Sequence, residues 1–237
     1  MKLALHQPYF FPYIGYYAVL YAADIYVHSD TMQYMRHSWV NRNRILCGES
    51  KWKYITVPIK KSDYTDKIIE TEIDYGQAWE EKIMAQMTYY KKKAPYYKEI
   101  IGILEKTFSR KYENIAELNI AATDNIMEYL GRKKDTYRLS KLDIDTSWVQ
   151  EPDEWGIAVC KNFDDVDCYL NAPGGKELYD VGKYEKNDLD IKFLQTNLQP
   201  YQQSRQPQFI EGLSILDVLM FNSVENVQKM LHDYIYI

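Results

Sequence analysis

The sequence has no apolar run of about 20 residues, the length that a helix needs to cross a membrane. The first apolar run, at residues 3–5, is also much shorter than the core of a signal peptide. Only three cysteines are present, and they are too few and too unevenly spaced to form a framework of disulfides. We therefore expect a cytoplasmic protein with reduced thiols and no insertion into a membrane.

Metal-ligand patterns and an overall basic charge are missing as well. The four histidines lack the spacing of metal ligands, and the cysteines form no paired motif. The formal net charge is -5, which argues against a protein that binds nucleic acid in general. We predict neither a structural metal nor a nucleic-acid partner.

The chain does contain enough apolar material for a core. Hydrophobic residues make up 46% of the sequence and the mean hydropathy is -0.50, values that are typical of a globular protein rather than a disordered one. No linker, repeat or low-complexity run divides the 237 residues. We predict a single α/β domain at residues 1–237, with a helical insertion at about residues 77–131, where apolar residues recur at helical spacing.

Tyrosine is the residue type in excess. The chain has 23 tyrosines, and they are dense between Tyr9 and Tyr34. A tyrosine offers a stacking face and a hydroxyl group, so it suits sugars, bases and interfaces. Drift in an AT-rich genome would also raise the tyrosine content, and both explanations stay open at this point.

The most specific pattern lies at residues 6–17, between a predicted strand at 3–5 and a predicted helix at 18–23. Pro8 and Pro12 prevent the helix from starting earlier. Ligands of α/β proteins bind where a strand ends and a helix begins, because the first amides of the helix face the same crevice. We predict a binding site here; the alternative is an aromatic plug that closes a core. The predicted site residues of this turn are His6, Gln7, Tyr9 and Tyr16.

A second β-prone run, at residues 24–28, is followed by Asp30. Strand, helix and strand with short links predict a βαβ unit, and hence a Rossmann-like α/β fold with a parallel-sheet core. His6 and Asp30 would then lie at the same edge of the sheet. His6 is the candidate catalytic acid or base, and Asp30 would orient it or bind a sugar hydroxyl. The alternatives are a histidine bonded to the backbone and an aspartate that caps a turn.

Four consecutive side chains with strong hydrogen-bonding groups follow: Asn41, Arg42, Asn43 and Arg44. Such a run is not expected in a core, so it is either a solvated loop or a clamp for an anion. The segment 36–61 has seven basic residues and one acid, which favours a phosphorylated ligand. We predict that all four side chains line one cleft with His6, and that the two arginines bind phosphate.

Further predictions concern single residues of the last third. Tyr201 lies in a polar and aromatic run and joins the predicted binding residues. Cys160 lies in an apolar helical run, which favours packing over reactivity. Asp217 follows Ser214 by three residues, a spacing that predicts stabilisation of a helix start.

Further strands are predicted at 52–59, 167–170 and 190–194, and an edge hairpin at 68–73. Helices are predicted at 77–93, from 95, at 114–131 and at 154–166, with a C-terminal helix pair from 213. Polar turns at 60–65 and 132–135 and a loop at 171–176 connect these elements.

Several of these motifs together resemble the WbqC-like protein family. The N-terminal part of the resemblance comprises residues 6–16, Asp30, residues 41–45 and residues 52–58. The C-terminal part comprises Tyr169, Leu170, Gly174, Gly175, Tyr179, Tyr201, Gln203 and residues 213–217. The resemblance covers nearly the whole chain, and its N-terminal motif is the more specific one.

The resemblance implies a bacterial protein of O-antigen (lipopolysaccharide) or other surface-polysaccharide biosynthesis. It suggests a transferase that moves a glycyl, other aminoacyl or acyl group from an activated donor to a nucleotide-linked amino sugar. The expected partner is therefore a nucleotide-sugar small molecule; no motif identifies the donor or the oligomeric state.

Two alternatives to this transferase remain. The first is a non-catalytic protein that binds nucleotide sugars or assists polysaccharide assembly. The second is an enzyme similar to nucleotidyltransferases, which carry a histidine-glycine-histidine signature after the first strand. Tyr16 stands here in place of one histidine and the other is absent, which argues against adenylyl transfer.

Overall fold

The computed structural model of the chain describes residues 1–61, 63, 65–132, 135–204 and 206–237. The strands within these residues are β1 (Lys2–His6), β2 (Ile25–His28), β3 (Arg42–Gly48), β4 (Lys51–Thr56), β5 (Thr136–Arg138), β6 (Cys168–Asn171), β7 (Asp190–Thr196) and β8 (Tyr234–Tyr236). The α-helices are α1 (Ile14–Ala22), α2 (Trp79–Met87), α3 (Tyr97–Phe108), α4 (Ile115–Tyr129), α5 (Glu154–Cys160), α6 (Val181–Glu185), α7 (Ile215–Phe221) and α8 (Val224–His232).

Six strands form a central sheet in the order β5-β2-β1-β6-β7-β8. All neighbouring pairs are parallel except β7 and β8, and His6 of β1 pairs with His28 of β2. The chain therefore winds outward from β1 through β2 to β5, and then crosses to the other side of β1 to form β6. The predicted βαβ start and the Rossmann-like parallel core are confirmed, and β1 and β6 flank the point where the winding reverses.

Two hydrophobic layers cover the sheet, one on each face. Along β1, Ala4 packs into the layer that contains α1, α4, α7 and α8, whereas Leu3 and Leu5 pack with α5. Side chains of a strand alternate between the two faces, and a parallel strand is buried on both, which explains the apolar run at 3–5.

The predicted helical insertion corresponds to α2, α3 and α4, which lie between β2 and β5 in the sequence. Asn114 caps α4, since its Oδ1 accepts a hydrogen bond of 3.0 Å from the amide of Glu117. Gly131 follows α4 with a φ of 72°, a left-handed conformation that ends the helix and that glycine adopts readily. Among the described residues, no helix is long and apolar enough to span a bilayer.

Several sequence-based assignments were wrong. The polar run at 41–44 begins a strand, β3, which pairs with β4 in a separate antiparallel hairpin. Ile68–Glu70 is a 3-10 helix rather than part of a hairpin, and the helix predicted at 154–166 ends at Cys160. The predicted loop at 171–176 becomes a 3-10 helix at Pro173–Leu178.

Strands β5 and β8 were not predicted, because three residues are too few to show an alternating pattern. Two predicted polar turns, at 60–65 and 132–135, fall partly on Ser62, Tyr64, Lys133 and Lys134, which lie outside the described residues.

Candidate functional site

A cavity of about 730 Å³ opens at the carboxyl ends of the central strands. His6 at the end of β1, Ser29 after β2 and Asn171 at the end of β6 contribute to its lining. Residues 149–152 and 174–179 close it from the side of α5 and the 3-10 helix. The cavity therefore lies at the switch point of the sheet, the position at which α/β folds bind ligands.

His6 is held by Asn171 across the junction of β1 and β6. Nε2 of His6 lies 3.2 Å from Oδ1 of Asn171, and this oxygen also accepts a 2.7 Å hydrogen bond from the amide of Ala172. Because the amide of Ala172 identifies the Asn171 atom as the oxygen, Nε2 of His6 must donate and carries the proton. Nδ1 of His6 then keeps the lone pair and can accept a proton or a hydrogen bond.

Burial determines the charge of His6. Burial lowers the pKa of His6 to about 4, and the hydrogen bond with Asn171 raises this pKa by a smaller amount. The imidazole is therefore neutral at pH 7, which is the form that acts as a base or as a hydrogen-bond acceptor.

Aromatic rings form the wall beside His6. The ring of Tyr16 lies 5.7 Å from that of His6 and 5.8 Å from that of Tyr9. Burial raises the pKa of both tyrosines, so their hydroxyl groups keep their protons at neutral pH. Together with Gln7, they give the cavity ring faces and polar groups, and the structure brings these four predicted residues together.

Asp30 lies near the same edge of the sheet but does not line the cavity. Its carboxylate is fully buried and accepts hydrogen bonds from the amide of Ser140 (2.9 Å) and from its hydroxyl (2.6 Å). These bonds fasten the end of β2 to the turn that follows β5. These contacts favour a structural role for Asp30, although it bonds to a distant turn and not to its own as the alternative expected. Its catalytic role stays a prediction.

The expectation that residues 41–44 share a cleft with His6 was wrong for their side chains. Nδ2 of Asn41 donates to the carbonyl of Val57 at 3.0 Å. Nδ2 of Asn43, which is 3% exposed, donates to the carbonyls of Phe10 (3.1 Å) and Phe11 (2.9 Å). Both amides thus satisfy carbonyl groups of irregular backbone, which a buried turn requires.

Arg42 and Arg44 lie on the outer face of the β3–β4 hairpin. Cζ of Arg42 is 4.2 Å from the ring centroid of Tyr54. Cζ of Arg44 is 5.5 Å from the ring of Trp39 and 5.1 Å from that of Trp52, and its Nη2 donates to a carbonyl of the 211–212 segment. Neither arginine lines the His6 cavity, although Trp39 does.

Tyr201 and Arg44 line a second cavity of about 490 Å³, which shares Tyr13 with the His6 cavity. The hydroxyl of Tyr201 donates to the carboxylate of Asp217 at 2.7 Å. The structure thus places Tyr201 next to the His6 cavity but not in its lining.

The predicted role of Asp217 at the start of α7 needs correction. Ser214 caps this helix, whereas the carboxylate of Asp217 is buried and also accepts hydrogen bonds from Tyr90 (2.7 Å) and Gln203 (3.1 Å). Burial raises the pKa of Asp217 to about 6. The buried carboxylate of Asp217 thus accepts from Tyr90, Tyr201 and Gln203 and joins α7 to two distant segments. The local capping pattern gave no sign of these contacts.

Cys160 packs in the hydrophobic layer around α5, and burial raises the pKa of its thiol to about 12. A thiol in this state is protonated at neutral pH and is a poor nucleophile. Among the described residues, no group of three or more histidine, cysteine, aspartate or glutamate side chains could hold a metal ion.

Sequence reasoning missed Asn171, Trp39 and the 149–152 segment as lining residues. Asn171 had a usable signal, since it is a polar residue directly after a short buried strand. The Gly174-Gly175 pair was a second signal: a Cβ on Gly175 would lie 3.2 Å from Nδ2 of Asn171, so the glycine lets the loop approach the asparagine closely.

The WbqC-like protein family matches residues 7–229 of the chain. The uncharacterized protein Rv1507c of Mycobacterium tuberculosis (strain ATCC 25618 / H37Rv) is 31% identical over 132 residues, which cover 55% of this chain and 56% of that protein. The chain thus matches little more than half the length of this relative. No solved structure matches significantly. Since this match covers far more than half of the 237 residues, the chain belongs to the WbqC-like protein family.

Proposed function

We propose that the protein is a transferase of bacterial surface-polysaccharide biosynthesis, which moves an aminoacyl or other acyl group to a nucleotide-linked amino sugar. One observation carries this proposal: a neutral histidine, fixed by Asn171, lies in an aromatic cavity at the switch point of a parallel sheet. Such a cavity offers ring faces for a sugar and polar groups for its hydroxyls.

His6 would act on the amino group of the sugar. The nitrogen forms a bond to the carbonyl carbon of the activated donor, the bond to the leaving group breaks, and the proton of the nitrogen passes to Nδ1 of His6. Asn171 keeps the proton on Nε2 and so keeps Nδ1 in the accepting state. No covalent intermediate on the protein is needed, which agrees with the burial of Cys160.

One observation favours the alternative of a protein that only binds nucleotide sugars. A pKa of about 4 makes His6 a weak base, since a general base works best with a pKa near the working pH. In that case His6 would serve as a hydrogen-bond acceptor for a sugar hydroxyl.

Calorimetric titration with a panel of UDP- and dTDP-linked amino sugars tests the proposal. The protein should bind at least one of them, and His6→Gln should weaken that binding about tenfold or more, the effect of one lost hydrogen bond. His232→Gln is the matched control, because His232 lies on α8 against Tyr21 and does not line the cavity.

A transferase and a protein that only binds nucleotide sugars are distinguished by whether a product forms. With activated acyl or aminoacyl donors present, a transferase yields an N-acylated sugar nucleotide detectable by mass spectrometry, and His6→Gln lowers the rate. Binding without any product favours the non-catalytic alternative, and the absence of binding contradicts both.

A further inference from the structure

The hairpin of β3 and β4 presents an exposed aromatic face. Its pairing places Arg44 opposite Tyr54, and directly paired residues lie on the same face of a hairpin. The rings of Trp52 and Tyr54 are 5.2 Å apart, and Trp52 is 41% exposed. Tyr54 is half-buried beneath Arg42, whereas a large exposed ring such as that of Trp52 is typical of a surface that stacks on another ring.

The same face is positively charged. Residues 42–56 contain four basic residues and a single acid, Glu49. Arg42 stacks on Tyr54, and Arg44 lies between Trp39 and Trp52. Within the described part of the chain, each arginine uses only Nη2 for hydrogen bonds, so Nη1 can meet a ligand. Guanidinium groups held by aromatic rings are pre-organised to bind phosphate.

Trp39 connects this face to the His6 cavity. Its ring is near Arg44 on one side, and its side chain lines the cavity on the other. It is itself 41% exposed, so it borders the opening rather than the interior. A ligand that extends out of the cavity past Trp39 therefore meets Arg44 and then Trp52, while Arg42 lies beside this path on the ring of Tyr54.

We propose that the hairpin face is the subsite for the nucleoside diphosphate half of the nucleotide sugar, which rests on the function proposed above. The base stacks on Trp52, the two phosphates contact Arg42 and Arg44, and the sugar passes Trp39 into the His6 cavity. A ligand with a flat ring, two negative charges and a sugar, in that order, matches the order of the side chains. An uncharged glycan would leave the arginines unused.

Calorimetric titrations with UDP, dTDP and GDP, and with UDP-N-acetylglucosamine, test this inference. Trp52→Ala should weaken the binding of the nucleoside diphosphate about 5- to 100-fold, since loss of one stacked base contact has an effect of this size. Trp52→Phe should restore part of the affinity. His6→Gln should weaken the binding of the nucleotide sugar and leave the affinity for the nucleoside diphosphate unchanged.

Tyr137→Ala is the control, because Tyr137 is 40% exposed and its ring packs on Phe163, away from the hairpin. The hairpin subsite alone is overturned if Trp52→Ala binds the nucleoside diphosphate within twofold of the wild-type affinity while His6→Gln still weakens the binding of the nucleotide sugar. A change in oligomeric state without a change in affinity overturns it in favour of self-association. If the wild-type protein binds neither class of ligand, the proposed function fails as well.

Discussion

Two stretches of this chain, residues 6–9 and residues 41–44, both carry side chains with hydrogen-bonding groups but perform different tasks. His6 and Gln7 line a cavity, whereas the amides of Asn41 and Asn43 are bonded to backbone carbonyls. The difference shows that a polar side chain is available to a ligand only where the backbone around it is already satisfied.

The second stretch, residues 41–44, stabilises the turn at residues 8–12. Phe11 has a φ of 41°, a left-handed conformation that is strained for a large side chain, and its carbonyl accepts hydrogen bonds from Asn43 and from the hydroxyl of Ser214. Asn119 of α4 donates to the carbonyl of Pro8 at 2.9 Å. Three distant elements thus fix the turn that carries the cavity's aromatic rings.

Asn43→Leu should break this support and have the largest effect on stability. Two buried carbonyls lose their shared donor, which should lower the free energy of unfolding by about 2–4 kcal/mol. Asn41→Leu is the matched control, since it removes a single bond and should cost about 1 kcal/mol. Urea denaturation measures both, and equal losses would contradict the distinction.

Lowering the pH should destabilise the protein through two buried histidines. Burial lowers the pKa of His6 to about 4 and that of His28 to about 3, from 6.5. The unfolded chain then binds protons that the folded protein does not, so stability is lost as the pH falls from about 6.5 toward 4. Each histidine contributes ~2 kcal/mol of loss between pH 7 and 5, and the raised pKa of Asp217 offsets ~1 kcal/mol.

Urea denaturation at pH 7, 6 and 5 checks this pH dependence. His28→Phe should flatten the curve by the contribution of one histidine, because His28 is fully buried and phenylalanine does not titrate. The same slope in wild type and His28→Phe would show that the folded protein accepts a proton on His28.

Asn171→Leu should weaken the binding of a nucleotide sugar about tenfold, or ~1.4 kcal/mol, because His6 loses the acceptor that fixes its tautomer. Asn187→Leu, which removes one hydrogen bond to the carbonyl of Lys183 in α6, should leave the affinity unchanged. Equal affinities in both variants would show that His6 needs no orientation by β6.

Gly175→Ala should have the smallest effect. The added Cβ would lie 3.1 Å from the ring of Tyr179 and 3.2 Å from Asn171, so these side chains must shift slightly, at less than ~1 kcal/mol of stability. Gly174→Ala is the control, since no atom lies within 4 Å of its added Cβ. A thermal melt with and without ligand separates the two, and identical melting curves would contradict the close packing at Gly175.

The local patterns predicted much of the fold. The apolar run at 3–5, the β-prone run at 24–28 and the helical spacing at 114–131 each specify an element by local spacing, and the structure contains all three. The pairing of β3 with β4 could not be predicted in this way. Arg42 and Arg44 alternate with the buried Asn43 and Ile45, but four polar residues in succession conceal that alternation.

Local patterns likewise predicted only part of the candidate site. His6, Gln7, Tyr9 and Tyr16 follow one strand directly, so sequence proximity was enough to group them. Asn171 and the 149–152 segment reach the cavity only through the crossover from β5 to β6, which no local pattern indicates. The hydrogen bonds of Asp217 could not be predicted from local patterns either, because its partners Tyr90 and Tyr201 are far away in the sequence.

A crystal structure of the protein with the nucleotide sugar that binds most tightly in the titrations would show directly whether the His6 cavity holds the sugar. We expect a sugar ring in the cavity at the ends of β1 and β6, with a hydroxyl or amino group within hydrogen-bond distance of Nδ1 of His6. A ligand bound only in the Tyr201 cavity, with the His6 cavity free of sugar, would contradict it.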